Sequence, residues 1–123
     1  MNNSIYESII LSKSNIQVPL FKSGRSVDSR YFPEKEAEKI IAEISNSYKI
    51  FLVFGIGSGI LIQKLCKKFP DAKILAMEKN KSDLEFLEQL KLIHELKQNS
   101  NCLFFSSENL IQVLLTSYIP SVH

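Results

Sequence analysis

Short runs that are apolar from end to end alternate along this chain with longer stretches whose apolar residues recur every three or four positions. Lys49 to Phe54 (KIFLVF), Ala72 to Glu78 (AKILAME) and Asn101 to Ser106 (NCLFFS) have strand length. Between them, Ser58 to Phe69 carries Leu61, Ile62, Leu65, Cys66 and Phe69 at helical spacing, and Ser82 to Lys97 carries Leu84, Leu87, Leu90 and Ile93. Glu108 to Tyr118 reads as a closing helix. Fully apolar strands separated by helices predict a parallel sheet covered on both faces. The expected fold class is α/β: a Rossmann-like half fold of three parallel strands with helices on both faces, ordered third-second-first.

Upstream, Pro33 suits a first helical turn, and Glu34 and Glu36 favour the positive end of a helix dipole. Ala37, Ile40, Ile41 and Ile44 then space an apolar face along a helix from Pro33 to Ser47. Residues 1–32 differ in character. The stretch NIQVPLFKSGRSVDSRY mixes β-favouring residues with Pro19 and a turn around Gly24, which predicts a short hairpin or an extended arm, any strand through Pro19 lying at an edge. The division is an arm, 1–32, and an α/β part, 33–123, forming one unit. In the order third-second-first, the strand IFLVF stands at an open edge. Cover is expected from the arm around Ile16 to Phe21, with a homodimer or a missing downstream domain as the alternatives.

Composition narrows the function classes. Of 123 residues, 45% are hydrophobic, enough for a core. The 15 basic residues are interspersed among 13 acids with no basic stripe, which speaks against nucleic acid as a partner. No run reaches the roughly 18 apolar residues of a membrane span, so no membrane insertion is expected. The N-terminal MNNSIYESII lacks the pattern of a secretory signal, and a cytoplasmic location is expected. Cys66 and Cys102 lack metal-ligand spacing and lie in apolar segments, where buried free thiols are expected. His94 and His123 have no ligand-spaced neighbours, and no metal is assigned.

The candidate chemistry lies in FLVFGIGSGILIQKL, where Gly55, Gly57 and Gly59 alternate between strand and helix. A first strand-to-helix turn of such a fold is where ligands approach backbone. Gly-Ile-Gly-Ser-Gly is not the dinucleotide fingerprint. It resembles motif I of the S-adenosylmethionine-dependent methyltransferases, with Val53 where that motif has an acid. Amides of residues 57–60 at a helix start suit an anion or the polar edge of a nucleoside. Glu78 closes the next strand 23 residues after Gly55, near the spacing at which a carboxylate reaches ribose hydroxyls. Ser107, in SSEN after the third strand, stands where adenine is often met, or caps the last helix. The candidate cofactor-binding set is Gly55, Gly57, Ser58, Gly59, Glu78 and Ser107, for a nucleotide or S-adenosylmethionine. The competing reading is a tight turn that serves packing alone, with Glu78 a solvated strand end. No catalytic residue is assigned.

A wider resemblance covers Val18 to Asn80. Ser29, Tyr31 and Pro33, then Glu36, Ala37 and Glu38, then Gly55 and Gly57, with Glu78 ending the following strand, resemble in order the N-terminal domain of the motility-associated factor (Maf) glycosyltransferases and their uncharacterised relatives. Asp28 and Phe32 stand where that family commonly has His and Asp, and Ser58 where an aromatic often follows the second glycine. The resemblance implies a Rossmann-like N-terminal module of a glycosyltransferase-related protein, without complete transfer machinery in this chain. An interaction or scaffolding module with no small-molecule ligand is the alternative, and a fragment of an S-adenosylmethionine-dependent methyltransferase the third reading.

Overall fold

The computed structural model describes residues 4–26, 28, 30–45 and 48–109. An antiparallel hairpin, β1 (Tyr6–Leu11) and β2 (Gln17–Phe21), leads into helix α1 (Pro33–Ala42). Strand β3 (Ile50–Phe54), helix α2 (Ile60–Lys68), strand β4 (Lys73–Glu78), helices α3 (Lys81–Leu87) and α4 (Lys91–Leu96) and strand β5 (Cys102–Ser106) follow. β3, β4 and β5 form a parallel sheet with β4 in the middle, pairing Val53 with Ala76 and Ala76 with Phe104. The protein is thus α/β, a three-stranded parallel sheet flanked by helices, as the apolar runs predict. No described helix is long and apolar enough to cross a membrane.

One face of the sheet supplies Val53, Ile74, Ala76 and Cys102 to the main core, where they meet Ile62 and Leu65 of α2, Leu87 of α3 and Ile93 and Leu96 of α4. Tyr6 of the hairpin and Ile41 of α1 belong to the same cluster. α1 lies against α2, fixed by Lys64 to Glu38 at 3.1 Å and by the Lys68 ammonium donating to the Ile41 carbonyl at 3.2 Å. On the opposite face Leu75 and Phe105 pack with Ile50 and Met77, while Leu52 and Phe54 of β3 remain exposed.

Four features depart from the sequence expectation. The single helix expected over Ser82 to Lys97 is two: Leu90 is extended at φ −75° and ψ 132°, and α3 ends after Leu87. Leu87, Leu90 and Ile93 are all fully buried, so the break turns each of them into the core. The hairpin turns not at Gly24 but at residues 12–16, where Asn15 takes φ 67°, and its first strand is Tyr6–Leu11. Gly24 makes a second turn that returns Ser26 to Leu20. Nor does the arm cover β3: residues 17–21 pair with β1, and among the described residues no strand pairs with the outer edge of β3. α1 is also shorter than expected, and the closing helix lies outside the described residues apart from a 3₁₀ turn, Ser107–Asn109.

Candidate functional site

The turn from β3 into α2 lies at the carboxyl end of the sheet. Gly55, Gly57 and Gly59 all take positive φ, 85°, 59° and 88°. The reasons differ between them. A Cβ on Gly55 would meet nothing within 4 Å, so conformation alone requires glycine there. A Cβ on Gly59 would stand 2.7 Å from Ile93 Cδ1 and 3.2 Å from Leu96 Cδ1, so this glycine also lets α4 close onto the start of α2. Gly59→Ala is therefore expected to cost about 2 kcal/mol, combining left-handed strain with overpacking, as a lower urea midpoint at unchanged slope.

The amides of the turn are engaged within the chain. Ile56 donates to Glu78 Oε1 at 2.9 Å, Ser58 to Asp28 Oδ2 at 2.8 Å, Gly59 to the Ile56 carbonyl at 3.1 Å and Ile60 to Ser58 Oγ at 3.3 Å. The Gly57 amide also stabilises the Glu78 carboxylate. Asp28, carried over from the arm, thus occupies the position of an anion at the start of α2. Burial pushes its carboxyl above the ordinary range, while the Ser58 amide and hydroxyl pull the other way.

Glu78 is buried, 4% exposed, rather than a solvated strand end. Its Oε1 accepts the Tyr6 hydroxyl at 2.9 Å as well as the Ile56 amide. Burial dominates its titration and raises it, against the opposing pull of those donors. Tyr6 lies stacked between Phe21, centroids 5.2 Å apart, and Phe86, 5.6 Å apart, and burial beside Glu78 pushes its phenol upward. A third carboxylate completes the arrangement. Asp83, fully buried in the first turn of α3, accepts Ser4 Oγ and the Ile5 amide, each at 2.8 Å, and Asn80 Nδ2 at 3.4 Å.

Of the residues singled out in the sequence, Gly55, Gly57, Ser58, Gly59 and Glu78 meet at this turn. Ser107 does not join them; its hydroxyl donates to the Lys79 carbonyl at 2.5 Å, tying the end of β5 to the loop after β4. Sequence reasoning did not place Tyr6, Asp28 or Asp83 here. Only Asp83 carried a local signal, an Asn80-x-x-Asp83 pattern at a helix start. Beside Ser58 opens a cleft of about 350 Å³ between the hairpin turn at Asn15–Gln17 and α2 and α4, lined also by Gln63, Lys91 and Glu95. No group of three or more potential metal ligands occurs among the described residues.

Compared with known protein families, with curated proteins and with solved structures, the chain matches none.

Proposed function

We propose that the chain is a Rossmann-like module of the Maf type, glycosyltransferase-related, whose β3–α2 turn takes the anionic or polar part of a nucleoside-containing ligand once Asp28 moves aside. The observation that carries this reading is the Asp28 carboxylate on the Ser58 amide, since the start of α2 already holds an anion there. The adjoining cleft adds support: its volume is within the usual range for small-molecule sites, and it offers Gln63 and Lys91 beside Ser58. Glu78 would serve a ribose only by exchanging its Tyr6 partner. No catalytic residue is proposed.

A second reading, an interaction module without a small-molecule ligand, is favoured by the engagement of every amide from Ile56 to Ile60 and by the burial of Glu78. Here the partner, a second copy or a further domain, would meet the outer edge of β3, where Leu52 and Phe54 are exposed.

The two readings separate in one titration. Wild type and Asp28→Ala are followed by backbone amide shifts while a nucleoside diphosphate, a sugar nucleotide or S-adenosylmethionine is added. The ligand reading expects shifts at residues 55–60 and affinity roughly tenfold higher in the variant, about 1.4 kcal/mol, because the competing carboxylate is gone. Silence at the turn in both proteins at millimolar ligand leaves the interaction reading.

A further inference from the structure

At the other end of the sheet the two cysteines meet. Cys66, near the end of α2, and Cys102, the first residue of β5, are 36 positions apart in sequence, yet their sulfurs are 3.1 Å apart and both are free thiols. A disulfide bond is about 2.05 Å long, so closure needs an approach of about 1 Å.

The two thiols are not equivalent. Cys102 is buried in the core, and burial together with the neighbouring sulfur pushes it up to about 12, which keeps it protonated. Cys66 is partly exposed, and the Asn99 side-chain amide donates to its sulfur at 3.7 Å. Access therefore singles out Cys66 as the attacking thiol and the buried Cys102 as the resolving one.

The geometry points to a reversible thiol–disulfide site at Cys66 and Cys102, with low-molecular-weight disulfides as its oxidants. In the first step the Cys66 thiolate attacks one sulfur of the oxidant, the oxidant's S–S bond breaks, and one small thiolate leaves and takes a proton. In the second, Cys102 gives its proton to solvent and its sulfur attacks Cys66 Sγ, expelling the second small thiol. Two cysteine thiols are oxidised by two electrons in all, and one small disulfide is reduced to two thiols. The bond formed fastens α2 to the start of β5, remote from the glycine turn.

Oxidised glutathione is the probe, with intact-mass analysis of the full chain and peptide mapping under non-reducing conditions. Wild type should lose two hydrogens, give a Cys66–Cys102 linked peptide and regain its original mass with dithiothreitol. Cys102→Ser should accumulate one glutathione adduct on Cys66, and Cys66→Ser should form at least tenfold less adduct. The proposal is overturned if wild type keeps a stable glutathione adduct, forms disulfide-linked dimers, or retains both thiols. These wild-type outcomes decide it even where a variant fails to fold.

Discussion

Tyr6→Ala is expected to destabilise the protein by about 4 kcal/mol in urea unfolding, the largest single effect anticipated here. Tyr6 is 1% exposed and joins the hairpin to the main core through stacking on Phe21 and Phe86. Truncation removes a large buried ring and, in the same stroke, the hydroxyl that satisfies Glu78. Tyr6→Phe separates the two contributions. It keeps the ring and leaves the buried carboxylate with one donor fewer, which should cost about 2 kcal/mol, the scale of a hydrogen bond to a charged group. Equal losses in the two variants would mean that the ring packing contributes nothing.

Asp83→Ala should follow at about 3 kcal/mol. The carboxylate accepts from the Ser4 hydroxyl and the Ile5 amide, and its loss strands both donors beside the core while freeing the start of the hairpin. Asp83→Asn retains one acceptor oxygen and should cost about 1 kcal/mol. Amide hydrogen exchange distinguishes local release from global weakening. In Asp83→Ala the amides of β1 and β2 should lose protection more than those of β4. Uniform loss through hairpin and sheet would show that the hairpin does not open on its own.

These two residues also mark where the sequence was hard to read. The sheet was legible because Phe51–Val53, Ile74–Ala76 and Leu103–Phe105 lie in apolar runs of strand length set between helical patterns, and the glycine turn because three glycines stand at alternate positions. The break at Leu90 was not, since it has neither Gly nor Pro and the apolar spacing runs through it. β1 was hidden for a similar reason: YESIIL starts with polar residues after Tyr6, and its strand character comes from pairing with Gln17–Phe21. Glu78 was found by its distance from the glycines, but its burial depends on Tyr6, 72 positions away. Asp28 posed the same difficulty. Its contact with Ser58 spans 30 positions and depends on the path of the arm, which no local pattern encodes.

The bonds from the hairpin to Asp83 and Glu78 have a consequence for how the chain is made. Ser4 must find Asp83 across 79 positions, and Tyr6 must find Glu78 across 72. Translation proceeds at about 5–20 residues per second, so Ser4 exists for roughly 4–16 s before Asp83 has been synthesised. Throughout that interval Tyr6, Phe21 and the other apolar side chains of the hairpin lack the surface that later buries them. The strand pair therefore waits, during synthesis, for the β4–α3 segment that anchors it.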